Sequence, residues 1–151
     1  MSQDPRHAFS IHRLERLQRL LEPLGCHLRV QVPVTLSDTS EPEPDVTIVR
    51  GPLESYIDHH PTAADVIAAI EVSDSSLRFD RSTKQRNYAL AGIGQYWIVN
   101  LVDNQIEVYQ QPLAAEGRYL RREDYRPGQV LLLLLGASDR IEVPVTEILP
   151  P

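Results

Sequence analysis

The sequence predicts an α/β layer structure built on a mixed sheet, and three observations carry that prediction. An amphipathic helix runs directly into an alternating strand, one strand is apolar on both faces, and a second amphipathic helix leads into a hairpin. From Ser10 to Leu24 the apolar residues Ile11, Leu14, Leu17, Leu20, Leu21 and Leu24 recur at helical spacing, with charges between them and Gly25 as the stop. Cys26, Leu28, Val30, Val32, Val34 and Leu36 then alternate with polar residues, the period of a strand with one buried face. Pro33 assigns that strand to an edge or a bulge. Residues 37–44 read as a loop, and a short strand follows from Asp45 to Val49. Val66 to Val72 is apolar without alternation, as expected of a central strand covered on both sides. A helix is expected from Arg78 to Ala91, with Leu77, Lys84, Tyr88 and Ala91 on one stripe and Gly92 and Gly94 ending it. Gln95–Asn100 and Gln105–Tyr109 form a hairpin around Asp103 and Asn104, and shorter strands are expected near 118–122, 130–135 and 140–143.

At 151 residues, with 42% hydrophobic and 24% charged residues, the chain has the composition of a soluble globular protein of one domain, spanning 1–151. Collagen-like, mucin-like and wholly disordered classes are excluded. The only cysteine is Cys26, so no intramolecular disulfide or multi-cysteine zinc site can form, which fits a reducing compartment. The amino terminus has no signal-peptide pattern, and the longest apolar run, Val130 to Leu135, is far short of a bilayer span; a cytoplasmic location is expected, with no membrane partner. The run Leu131 to Leu135 reads as a core strand or as the face of a homodimer. A net charge of −6 argues against non-specific coating of a polyanion and leaves room for a local basic patch.

Three residues stand out. Glu71 lies in an apolar strand, where an ionised carboxylate costs several kcal/mol unless it is paired or bound to a metal. Asp45 opens the preceding strand, and adjacent strands can bring both carboxylates to one end of the sheet, a hard-oxygen pair suited to Mg²⁺ or Mn²⁺. The alternatives are a turn aspartate capping backbone amides and a glutamate paired with arginine. Lys84 is the only lysine among 15 basic residues and falls on the inward stripe of the second helix. A compact ammonium there suits an anion or a reaction; the alternative is a stem whose head reaches water. Arg78, Arg81 and Arg86 form either a local positive rim or a solvated helix face. His59 and His60 read as a solvated loop pair, and His7 and His12, five apart, do not stack as two ligands on one helix face. Tyr96 and Trp97 read as core.

The order Glu43-Pro44-Asp45-Val46, then Ile70 to Asp80, then Lys84 to Tyr88, then Ala91 to Val99, resembles the Uma-two family of restriction-endonuclease-like proteins, a branch of the PD-(D/E)XK nuclease superfamily. The resemblance covers about residues 6 to 145. It implies a restriction-endonuclease-like αβα core with a mixed central sheet, in which Asp45 and Glu71 hold a divalent cation and Lys84 is the active-site lysine. The implied activity is Mg²⁺-dependent hydrolysis of DNA phosphodiester bonds; the alternative is a non-catalytic binding or assembly module that retains the fold. Two departures are visible. The superfamily places its lysine two positions after the second acid, and that position is Ser73, so Lys84 has to reach in from the helix. Family members also commonly have strands before the first helix, so these are expected to be shortened here.

Overall fold

The computed structural model describes residues 4–151. The chain opens with α1 (Pro5–Glu15) and α2 (Gln18–Leu21), followed by a 3-10 turn at Glu22–Leu24. A six-stranded sheet follows in the spatial order β1 (Cys26–Val30), β2 (Val46–Arg50), β3 (Val66–Ser73), β4 (Gln95–Asn100), β5 (Gln105–Leu113), β6 (Arg118–Tyr125). Between β3 and β4 the chain crosses over through α3 (Leu77–Phe79), a π-helical turn at Asp80–Lys84 and α4 (Gln85–Leu90). That crossover makes β3 and β4 parallel, while the other neighbours are antiparallel, so the sheet is mixed. The last two strands, β7 (Val130–Leu134) and β8 (Arg140–Pro144), form a separate antiparallel pair.

Strand alternation divides the core into two layers. On one face, Val46, Ile48, Ile70, Val72, Trp97, Val99, Ile106 and Val108 pack against Ile11, Leu14, Leu17 and Leu21 of the first helices and against Leu131, Leu133, Ile141 and Val143 of the β7–β8 pair. On the other, Ala69, Tyr96, Ile98, Tyr109 and Tyr119 pack against Tyr88 and Ala89 of α4. All eight residues of β3 are buried, as an apolar strand between two layers must be. Four tyrosines cluster where α4 meets the sheet, with Tyr96 5.0 Å from Tyr88 of the helix and 5.7 Å from Tyr109 between ring centroids. Each buries its ring and hydrogen-bonds through its hydroxyl, which removes the desolvation cost of the polar tip.

The structure departs from the expected elements in three places. The first helix begins at Pro5, where proline's fixed φ suits the first helical turn, rather than at Ser10. It breaks at Arg16 and Leu17, and Leu20 and Leu24, expected on the inward stripe, are exposed. The alternating segment after Cys26 is paired only to Val30, because Gln31 adopts φ 51° and turns the chain out of the sheet before Pro33, which has no N–H to donate. Beyond it, Val34 and Thr35 instead hydrogen-bond to Pro42 and Pro61. Finally, the second helix carries a π turn, which sequence periodicity at 3.6 residues does not register. The Leu131–Leu135 segment alternates, with Leu131 and Leu133 buried and Val130, Leu132 and Leu134 exposed, so half of that run is core. Among the described residues no helix is long and apolar enough to cross a membrane.

Candidate active site

Asp45 precedes β2, which runs antiparallel to β3, and so lies beside the carboxyl end of β3 where Glu71 sits. Glu71 and Ser73 share the parity of Ala69 and point to the α4 layer, while Ile70 and Val72 enter the opposite core. The crossover returns over this end of the strand and brings Lys84 with it. Lys84 Nζ lies 3.1 Å from Glu71 Oε2 and 3.5 Å from Asp80 Oδ1. The backbone N–H of Asp45 donates to Glu71 Oε2 over 3.4 Å, and the Tyr88 hydroxyl donates to Glu71 Oε1 over 2.8 Å. The three residues singled out in the sequence therefore meet, although they come from segments far apart in the chain.

Asp80, four residues before Lys84, is almost wholly buried. Its Oδ2 accepts hydrogen bonds from the hydroxyls of Ser73 and Ser76, the latter at 2.8 Å, and the Tyr96 hydroxyl donates to its backbone oxygen over 2.9 Å. The spacing of Asp80 and Lys84 is that of an i, i+4 helical ion pair, a signal legible in the sequence. Ser73, two positions after Glu71, hydrogen-bonds Asp80 and so braces the carboxylate that pairs with Lys84.

Asp45 is only partly enclosed. Its Oδ2 accepts from the backbone N–H of Val72 at 2.8 Å and lies 3.1 Å from Nε2 of His7. Among the described residues Oδ1 takes no hydrogen bond. The turn-aspartate reading thus describes one oxygen and leaves the other free. His7 was not anticipated. The signal for it is Pro5 at the helix start: once the helix begins there, His7, Ile11 and Leu14 fall at i, i+4 and i+7 on the inward face.

The electrostatics follow from crowding three carboxylates around one amine. Burial drives the Glu71 carboxyl from 4.5 up to about 7; Lys84 and the Tyr88 hydrogen bond oppose the shift, and Asp45 and Asp80 add to it. For Lys84, burial pulls the pKa down, but the charges of Glu71, Asp80 and Asp45 outweigh it, so the amine is held above its usual range and is a cation at neutral pH. Burial likewise raises the Tyr88 phenol, with the Glu71 charge reinforcing it, which keeps that group a hydrogen-bond donor.

The donor set suits a hard divalent cation. It offers an accessible carboxylate oxygen on Asp45 and a neighbouring carboxyl, Glu71, whose proton a cation would readily replace. Among the described residues no group of three His, Cys, Asp or Glu side chains is placed to hold a metal ion together, so the protein would supply the two carboxylates. That arrangement fits Mg²⁺, which retains several waters and needs only one or two protein carboxylates. A concavity lined by Arg50, Val66, Ile67, Gly92, Gly94 and Gln95 lies at the other end of β3 and β4 and contains none of these residues.

A second polar cluster lies on the same sheet face. Glu107 has no exposed surface and accepts from Arg81 Nε at 3.0 Å and Nη2 at 2.5 Å, from Asn100 at 2.7 Å and from the Tyr109 hydroxyl at 2.8 Å. Burial pushes its pKa up, but these donors outweigh burial and hold it at about 2. Arg81 is therefore committed to a structural pair with Glu107, which is neither of the two expected roles, a positive rim or a solvated helix face. Arg78 and Arg86 are exposed and make no ion pair among the described residues. His59 and His60 are exposed in their loop, and Tyr96 and Trp97 are core.

This arrangement, a mixed sheet between helical layers with the charged group at the carboxyl end of a central strand, is a restriction-endonuclease-like fold. The crystal structure of a putative nuclease belonging to DUF820 from Anabaena variabilis ATCC 29413 superposes with a TM-score of 0.76 at 12% identity, covering 98% of this chain and 82% of that one. The family model described as "Uma2: Putative restriction endonuclease" matches residues 3–146, and the chain belongs to that family. No curated protein matches the sequence.

Proposed function

We propose that the protein is a Mg²⁺- or Mn²⁺-dependent endonuclease that hydrolyses DNA phosphodiester bonds, with Asp45 and Glu71 as metal ligands and Lys84 as the catalytic amine. The observation that supports this most directly is the convergence of two acids and the only lysine of the chain, with Lys84 Nζ 3.1 Å from Glu71 Oε2. A bound cation would supply Lewis-acid polarisation of the scissile phosphate and acidify a water at neutral pH. The chain's own groups do the rest. Tyr88 fixes the orientation of Glu71 through Oε1. Lys84, kept cationic by its acidic neighbours, neutralises charge growing on a phosphoryl oxygen and orients the attacking water. Asp80, anchored by Ser73 and Ser76, holds that amine from the helix side. Exposed Arg78 and Arg86 supply positive charge for a phosphate backbone that the net charge of −6 would repel.

The test is cleavage of supercoiled plasmid and of linear duplex with Mg²⁺, Mn²⁺ or chelator, for wild type and Asp45→Asn. Metal-dependent nicking by wild type alone is expected. Intact DNA under every condition would favour a binding or assembly module that keeps the fold without turnover.

A further inference from the structure

We propose that His7 is a positioning residue for the cation site, its Nε2–H holding Oδ2 of Asp45 so that Oδ1 is the oxygen presented to the metal. This rests on the reading of Asp45 as a metal ligand and adds a residue from the first helix to it.

The contact is constrained on both sides. Nε2 lies 3.1 Å from Asp45 Oδ2, and an ionised carboxylate only accepts hydrogen bonds, so the contact assigns a proton to Nε2. The other ring nitrogen, Nδ1, is buried and has no hydrogen-bond partner. Neither nitrogen is open to a cation entering from solvent, since one is engaged by Asp45 and the other is enclosed. His7 therefore acts through Asp45 and is not itself a ligand. With the Val72 N–H donating to the same Oδ2 at 2.8 Å, two donors converge on one oxygen and leave its partner free. A carboxylate pinned in this way offers a single lone-pair direction to a metal and gives up little rotational freedom on binding, as outer-shell donors to metal ligands do elsewhere.

The fold holds the imidazole in place. One turn beyond His7, Ile11 and then Leu14 enter the core cluster that contains Val46, the residue after Asp45. Ser10 donates to the backbone oxygen of Ile148 over 2.9 Å, and Arg6 to that of Leu101 over 3.3 Å. The start of α1 is thus tied on both sides of His7, to the residue after β4 and to the segment after β8.

The test compares His7→Phe, which keeps ring volume without a donor, with His7→Gln, whose amide N–H reaches about as far as Nε2. Mn²⁺ affinity is measured by calorimetry, and unfolding is measured in metal-free buffer. His7→Phe is expected to lose ~10- to 100-fold in Mn²⁺ affinity, the usual cost of removing an outer-shell donor, while melting like wild type without metal. His7→Gln is expected to recover most of the affinity. Should His7→Phe not fold, His7→Asn replaces it, since the same amide on a shorter stem falls short of Asp45 and should bind weakly beside His7→Gln. Wild-type affinity in the donor-free variant, or equal weakness in His7→Gln, overturns the role of His7 while leaving the metal reading intact. Absence of Mn²⁺ binding by wild type overturns both.

Discussion

Glu71→Gln separates a metal ligand from a structural ion pair. Glu71 is nearly fully buried, with one ammonium 3.1 Å away and the carboxylates of Asp45 and Asp80 in the same cluster. Burial dominates this balance and raises its pKa from 4.5 to about 7. Between these values the folded state binds a proton that the unfolded state has lost, so stability falls as pH rises through the window. At about 1.4 kcal/mol per unit the loss amounts to about 3 kcal/mol once Glu71 is fully ionised. Glutamine keeps the shape and cannot ionise. The metal-free variant should therefore match wild type near pH 4.5 and exceed it by up to about 3 kcal/mol above pH 7, roughly 10 °C in melting temperature for a chain of this size. Added Mg²⁺ should raise wild type and leave the variant unchanged. The assay is thermal unfolding from pH 4.5 to 8.5, with and without Mg²⁺. A variant that is less stable at every pH, with no metal dependence in either protein, would show that the Glu71–Lys84 pair is a net structural contributor and would refute the reasoning. Removing one partner of a buried pair typically costs about 3 to 5 kcal/mol, so the two outcomes differ in sign and are easily distinguished.

Three further outcomes follow from the same geometry. Asp45→Ala should abolish calorimetric Mn²⁺ binding, because it removes the only carboxylate of the pair with an unengaged oxygen among the described residues; equal binding by both proteins would exclude the site. Lys84→Arg should fold and lose most plasmid cleavage, since a planar guanidinium cannot occupy the point between Glu71 and Asp80 that the ammonium fills, and unchanged turnover would make Lys84 a rim residue. Glu107→Gln should destabilise the protein above pH 4.5 by about 3 kcal/mol, because it weakens the anchor of Arg81; as pH falls towards about 2 the wild-type advantage should vanish, and a difference independent of acid would refute an electrostatic origin.

Much of the fold was legible locally. The uninterrupted apolar run Val66–Val72 became a strand buried on both faces, and the hairpin at Asp103–Asn104 formed as its turn residues require, with Asn104 at φ 56°. The anomalies of Glu71, Asp45 and Lys84 were also legible, because a charge in an apolar strand or on an inward stripe is improbable without a partner. Misread elements were those where an apolar pattern continued past the point at which the backbone turned. Leu20 and Leu24 keep helical spacing across a break, and Val32 keeps strand parity beyond the left-handed Gln31.

By itself the sequence determined which residue types this protein has to accommodate in an apolar interior, and the family to which it belongs. Only the tertiary structure decided their partners. Arg81 and Lys84 lie three residues apart on one crossover, yet one is locked to Glu107 on β5 and the other meets Glu71 on β3, and no local pattern names those partners. His7 faces Asp45 because α1 docks by Ile11 and Leu14 beside β2, a contact across 38 positions of chain. Periodicity reports which face of an element is buried, and only the packing of one element on another determines what that face meets.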